Sequence, residues 1–590
     1  MYLRPPTRLL VFSFAVLLSG SPMLARFDSW TELSNDYSVF RREQNPFTAG
    51  QGDAEAAQRW PDNSPAAVER RRLALERFRA RLQSVVPESL APEDAISRSV
   101  MERQIVMALE AIAFDEERIP FQNRGGFYSQ PESQAAVTVL RSEAQAQTWL
   151  ARLASLPDFF ESETANLRRG IKTRFTQPAP IVRTAIKTLR TLAAEPPARS
   201  ALLAPFDTLP GSMPEARRAA LRRDGETLVA SKVRPAQTKL ADFLQREYLP
   251  NARPELRVTS LDDGERYYAF TVRRHTTTDL TPAAIYRVGQ AEVSRIRGEM
   301  EAAMFETGFA GDLKTFLTSL ASDARFNAST PETYTEAARA TAKRIDYLLP
   351  RYFGRLPRLT YGVGPKPDDG DDLYGGYRRG SPETGVAGLV YYPAARRGPL
   401  HSLTAWLLHE GAPGHHLQIA LQQENARIPE YRRDQGITVF AEGWGLYAEK
   451  LGEEMGVYRD AYERVGRLSM EMWRACRLVM DTGLHAQGWN RDQAAQCLKD
   501  NTTMSTDAIY GEVDRYIGFP GQALSYKIGE LRFVALRARA EAVLGDRFDL
   551  RAFHDLVLGE GSLPLDLLET IVDRWIAAGG AASKSTSPGG

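Results

Sequence analysis

The run LLHEGAPGHHLQIALQQE, residues 407–424, decides how this chain is read, because it is helical at both ends and broken in the middle. Pro413 lacks the amide hydrogen that would bond the carbonyl of His409, and its ring clashes with that carbonyl in a regular helix. A kink or bulge is expected here, and Gly414 permits whatever backbone angles restart the helix. In an unbroken helix, a residue six positions beyond His409 would sit about 120° around the axis, and one seven beyond would lie roughly 10 Å along it. With the break, Pro-Gly acts as a two-residue insertion that returns His415 to the angular place of a fourth-position residue. His416 then points elsewhere, towards a substrate or a supporting partner.

Rarity gives these histidines weight. Seven serve the whole chain, and His401, His409, His415 and His416 fall within sixteen positions. Two imidazoles with an adjacent carboxylate are what a hydrolytic zinc centre needs: nitrogen donors for the cation, and Glu410 to take a proton from the attacking water. The familiar HExxH helix sets its histidines four apart; the interruption at Pro413 is expected to reach the same end. A third donor should come from a neighbouring helix. TVFAEGWGLYAEKL, residues 438–451, offers Glu442, with Glu449 on the same face as a surface or supporting carboxylate. The separation from the histidine pair is enough for one helix to finish, turn and return beside itself.

Outward from this centre, apolar residues recur at three- and four-residue steps, and the fold class is mainly α. Ser64 and Pro65 suit an N-cap and first turn, after which Val68, Leu75, Phe78 and Leu82 share one helical face. Similar patterns span Ser97–Glu117, Gln145–Ile171 and Arg217–Tyr248. Strand-like pieces are expected at Tyr267–Val272 and Val386–Tyr392, the second forming a small β-sheet beside the zinc helix. Its free edge could pair with an extended peptide, with Tyr391 and Tyr392 walling a cleft from opposite faces of the strand. The Gly-, Pro- and Asp-rich stretch Gly362–Gly385 reads as a long functional or mobile loop.

Lys and Arg total 75 against 74 Asp and Glu, a formal charge of +1. Short basic clusters such as Arg70–Arg72 lie among acidic residues on helix-like sequence, which reads as a solvated face and excludes a nucleic-acid footprint. Arg4 and Arg8 precede an apolar run over Leu9–Leu18, with Ala25 near a plausible cut, so residues 1–25 read as a signal peptide. The mature chain is expected in the periplasm or outside the cell, with no membrane span after signal removal. Residues 26–250 are expected to form an N-terminal helical half, 251–576 a catalytic half packed with it as one body, and 577–590 a disordered tail. The two cysteines, Cys476 and Cys497, exclude a disulfide scaffold and leave their pairing open.

Four blocks occur in order: HEGAPGHHLQ (409–418), FAEGWGLYAE (440–449), ACRLVMDTGLHAQGW (475–489) and RYIGFPGQALSYKIG (515–529). Together they resemble the bacterial domain-of-unknown-function family number eight hundred and eighty-five, a group of zinc peptidases by motif. That family is similar to the gluzincin peptidases of the thimet oligopeptidase and angiotensin-converting enzyme type. The resemblance implies a large helical body with a deep substrate channel, Zn2+ on His409, His415 and Glu442, and Glu410 as base. The family pattern places its histidine directly after Pro-Gly, which favours His415 over His416.

Hydrolysis also needs a donor for the developing oxyanion. Tyr526 is the first candidate and Tyr516 the second, both in a segment that offers Arg515, Gln522 and Lys527 to a substrate. His485, four residues beyond Asp481, could share a hydrogen bond with it and donate to the same oxyanion. Arg515 and Lys527 could hold a terminal carboxylate, as a carboxypeptidase or dipeptidyl carboxypeptidase requires. His275 and His554 read as structural or exposed. The expected activity is hydrolysis of short or unfolded peptides; the alternatives are a peptide-binding or chaperone-like protein without turnover, and a hydrolase of another amide or an ester.

Overall fold

The computed structural model describes residues 29–47, 56–123, 125–366, 375–433 and 435–580. The expected signal peptide and residues 581–590 of the expected tail lie outside the described residues. The described chain is mainly helical, with two small sheets. It contains no helix long and apolar enough to cross a membrane.

Capping chemistry starts helices where the sequence predicts it. The Ser64 hydroxyl accepts from the Ala67 amide and opens Pro65–Ser84, with the proline in the first turn, where its missing N–H is harmless. Leu75 and Leu82 of that helix are buried, and Phe78 meets Tyr37 edge-on at 5.3 Å between centroids. Ser97–Glu117 falls mostly within helix Pro92–Phe114, closed by Asp115 in the left-handed conformation. Gln145–Ile171 is two helices, Glu143–Ala154 and Leu156–Lys172. Arg217–Tyr248 is helical throughout but widens to a π-type turn at Val229–Val233, just before Pro235, which has no N–H to return to the preceding turn.

The strand expected at Tyr267–Val272 is instead part of helix Gly264–Thr276. Tyr267, Tyr268, Phe270, Thr271, Val272 and His275 are buried, while Glu265, Arg266 and Ala269 are exposed along the opposite face. Its solvent face is narrow and includes the apolar Ala269, and the aromatic and branched residues of Tyr267–Val272 mimic β-sequence.

The expected strand near Tyr392 forms as β3 (Gly388–Tyr392), in a sheet with β1 (Tyr361–Pro365) and β2 (Gly376–Arg378). The order is β1-β3-β2, parallel between β1 and β3 and antiparallel between β2 and β3. Parts of the stretch expected as a loop, Gly362–Gly385, are therefore strand. Strand β3 has no free edge, being paired on both sides; the outer strand on the Tyr377 side is β2. Alternation along β3 sends Val390 and Tyr392 into the core and leaves Leu389 and Tyr391 half-buried.

Six helices build the site: α1 (Leu403–Glu410), α2 (His415–Glu424), α3 (Thr438–Glu454), α4 (Ala461–Ala486), α5 (Thr506–Gly518) and α6 (Ser525–Leu544). Helices α3 and α6 cross at Gly443 and Gly529, where a Cβ on Gly443 would stand 2.5 Å from the Gly529 Cα. Helix α4 is buried along most of its length and packs against Pro282–Glu306. Cys476 of α4 is disulfide-bonded to Cys497 of the next helix, Arg491–Asn501. Two large apolar clusters form the core, and both draw on residues from either side of position 250.

Candidate metal centre

The interruption at Pro413 is complete rather than a bulge. Helix α1 ends at Glu410, Gly411–Gly414 turn the chain, and α2 begins at His415. The His416 amide donates to the Gly411 carbonyl at 3.0 Å, so the second helix is tied back to the turn. Gly414 lies against the end of α1, where a Cβ would stand 2.0 Å from the His409 carbonyl oxygen. The indole of Trp444 on α3 donates to the Pro413 carbonyl at 2.8 Å and pins the break from outside.

The EGWG run then has a task at each position. Glu442 Oε2 lies 3.4 Å from His409 Nε2 and 3.4 Å from His415 Nε2. Gly443 allows the crossing with α6, and Trp444 holds the turn. Gly445 gives the His409 ring its seat: a Cβ there would stand 2.6 to 2.9 Å from three ring atoms. Glu449, one turn further, accepts from His409 Nδ1 at 2.8 Å and is itself buried. It is thus a supporting carboxylate. Its acceptor role puts the proton on Nδ1 and leaves the Nε2 lone pair facing Glu442.

Among the described residues, one donor atom from each of His409, His415 and Glu442 lies within 4.8 Å of the others. Two ligands held about 2.0–2.2 Å from one tetrahedral ion stand about 3.3–3.6 Å apart, so both observed 3.4 Å edges suit a single ion. Glu442 Oε2 is buried with no hydrogen-bond donor, as a carboxylate reserved for a cation should be. Two imidazole nitrogens and one carboxylate oxygen are a catalytic zinc donor set.

The electrostatics agree. Burial depresses the proton affinity of His409, but the facing carboxylates of Glu442 and Glu449 outweigh it and push the imidazole up to about 9. Burial raises Glu442, yet the facing imidazoles hold it well below the usual carboxylate range. These groups converge on a point that needs positive charge, as a proton or as a metal ion, and a metal ion displaces the proton because it binds deprotonated ligands. Burial pushes Glu410 upwards, against the pull of His409 and His415.

A cavity of about 330 Å³ contains this centre and is also lined by Glu410, Tyr526, Tyr391 and Arg515. The other predicted residues do not line it. His485 does not join the site: its Nδ1 accepts from the Val258 amide and its Nε2 donates to the Tyr516 carbonyl, each at 3.0 Å. Asp481, its expected partner, accepts instead from the Tyr268 hydroxyl and the Gly521 amide. His416 is buried, with Nδ1 3.0 Å from the Tyr377 hydroxyl and its ring 4.5 Å from that of Tyr361. Tyr392 points into the core and donates to Thr335.

The hydroxyl of Tyr516 accepts from Arg477 and donates to Glu512, which removes it as an oxyanion donor. Gln522 accepts from Arg515 behind the wall. Lys527 cannot reach a substrate either. It is wholly buried in an ion cluster with Glu292, Glu471 and Glu530. His554 is buried, not exposed, between the Tyr447 hydroxyl and the Tyr352 carbonyl; His275 is buried too.

Sequence reasoning missed Arg474 and Arg477, which with Met470 and Trp473 present one face of α4 to the cavity. The available signal was two arginines three apart in the largely apolar run MEMWRACRLVM, residues 470–480.

No curated protein matches the chain. Among solved structures it is similar to one described as a putative lipoprotein from Colwellia psychrerythraea, with TM-score 0.87 and 24% identity over 94% of this chain and 100% of that one. It is also similar to one described as a putative lipoprotein of unknown function from Shewanella oneidensis, with TM-score 0.67 and 16% identity over 92% of this chain and 99% of that one. Both likenesses concern the fold. The family described as bacterial protein of unknown function (DUF885) matches residues 46–572, and the chain belongs to that family.

Proposed function

We propose that this protein is an exported zinc-dependent peptidase of gluzincin type that hydrolyses short or unfolded peptides, with His409, His415 and Glu442 holding the metal. The observation that carries the reading is the pair of 3.4 Å edges from Glu442 Oε2 to two imidazole nitrogens, with Glu410 in the same cavity. Zinc bound there supplies a Lewis acid that polarises the scissile carbonyl and acidifies the attacking water.

The chain's own groups do the rest. Glu449 fixes the tautomer and angle of His409. Glu410, whose proton affinity burial raises, takes the proton of the attacking water and returns it to the leaving amine. Tyr526 is the candidate hydroxyl donor to the oxyanion that forms at the carbonyl. Outer strand β2, whose Gly376 and Tyr377 line the cavity, offers main-chain groups to an extended peptide. A cavity of about 330 Å³ admits a short segment and excludes a folded chain. The Cys476–Cys497 bond supports a place outside the cytoplasm.

The test is metal analysis followed by a peptide-library digest of the wild type beside Glu410→Gln. About one zinc per chain is expected in both proteins. Turnover in the variant should fall by about 10²–10⁴, the usual contribution of a general base. Equal cleavage by the two proteins removes Glu410 from the mechanism. Zinc binding without cleavage of any peptide favours the non-catalytic binder or another amide or ester substrate.

A further inference from the structure

We infer that the cavity recognises a carboxylate of the substrate through Arg477, assisted by Arg474, so that the bond cut lies close to a negatively charged group and most commonly to a free C-terminus. This rests on the peptidase reading for the word "cut", but the recognition itself is independent of turnover.

Arg477 lines the cavity although its side chain is 4% exposed. Its Nε donates to the Tyr516 hydroxyl at 3.0 Å and its Nη2 to Glu512 at 3.2 Å, while Nη1 is buried with no acceptor. The guanidinium lies against two aromatic rings, its carbon 4.1 Å from the Tyr526 centroid and 4.5 Å from that of Trp473. Orientation is thus fixed by two hydrogen bonds and two rings, and the remaining nitrogen is left for something else. Buried donors of this kind are normally satisfied, and a planar guanidinium edge complements a carboxylate.

The local charge balance points the same way. Arg396, Arg474, Arg477 and Arg515 line the cavity against Glu410 and Glu442, and Glu442 is committed to the metal centre. Behind the wall, Glu512 serves both Arg477 and Arg515. Glu449 lies 3.8 Å from Arg474, but its nearer partner is His409 at 2.8 Å. Three closely set guanidinium groups therefore have Glu512, Glu449 and Glu410 as their carboxylates, of which Glu512 is shared and Glu449 already engaged by His409. The unfilled Nη1 of Arg477, set in this group of arginines, suits an anionic partner. Lys527, the residue the sequence offered for this task, is neutralised elsewhere; the arginines of α4 hold the position it was expected to fill.

The test uses one peptide sequence in three forms: free acid, C-terminal amide, and amide with a glutamate next to the terminus. Zinc-loaded Glu410→Gln is titrated with each by calorimetry, and the wild type is assayed for cleavage of each. Binding of the acid at least tenfold tighter than the amide, with a matching difference in KM, is the expected result. Recovery by the glutamate form assigns the recognition to any nearby carboxylate; no recovery assigns it to the C-terminus. Introducing Arg477→Gln should abolish the acid-to-amide ratio while leaving amide binding in place, and Arg477→Lys should restore part of it. A misfolded variant would weaken both ligands alike. Equal binding of acid and amide by the parent protein, or a ratio that survives Arg477→Gln, overturns the inference. Preferential acid binding with no cleavage of any form leaves it standing and removes the peptidase reading instead.

Discussion

His409 and His485 are both buried on helices of the same core, and each has a polar partner for both ring nitrogens, yet they are opposites chemically. His485 faces a backbone amide and a backbone carbonyl, and burial drives its proton affinity down to about 3. His409 faces two carboxylates, which overcome the same burial and lift it to about 9. Neutral partners satisfy one imidazole and end its chemistry. Charged partners leave the other demanding a cation. The contrast shows that burial says little about a histidine until the atoms opposite its second nitrogen are known.

The strongest way to break that contrast is to exchange ligand and neighbour. His415→Ala should abolish zinc binding and activity, whereas His416→Ala, whose ring is engaged by Tyr377 and Tyr361, should keep the metal; zinc content of the purified proteins decides it. Next in size, Glu449→Gln should lower zinc affinity about 10–100-fold, the usual effect of removing a partner that orients a ligand. A competitive chelator titration measures this, and unchanged affinity would make Glu449 a bystander.

His485→Gln should leave zinc content untouched and destabilise the fold by about 1–3 kcal/mol through unsatisfied backbone groups. It should also change the pH profile. A histidine held neutral in the fold contributes stability that is complete above its ordinary value of 6.5 and is lost as pH falls towards 3. Stability measured by denaturant melts across that window should therefore fall less steeply with decreasing pH in the variant, by about one proton. The smallest effect expected is for Trp444→Phe, which removes the indole bond to Pro413 and should cost about 1 kcal/mol.

The candidate metal centre was legible in sequence because its parts are local and chemically rare. A proline and a glycine between two histidines announce a broken helix, and an adjacent glutamate announces acid–base work. The break at Gly411–Gly414 follows from those few residues, whereas Glu442 was reached only by asking which neighbouring helix could supply a third donor. Lys527 was misread because its partners Glu292 and Glu471 lie far away in sequence, and only the packing of three helices brings them together. Tyr516 and Arg477 conceal each other for the same reason. The helix over Gly264–Thr276 failed differently: its solvent face, Glu265, Arg266 and Ala269, recurs at helical steps, but the aromatic and branched composition of Tyr267–Val272 masks it.

The contact between Gly445 and the His409 ring has a consequence for relatives of this chain. A single methyl group at that position would occupy the imidazole's resting place while leaving every ligand residue present in the sequence. Ligand inventories alone would then score such a homologue as intact although its first nitrogen had been evicted. Residue 445, which donates nothing to a cation, is accordingly a sharper marker of a working centre than a tally of its histidines.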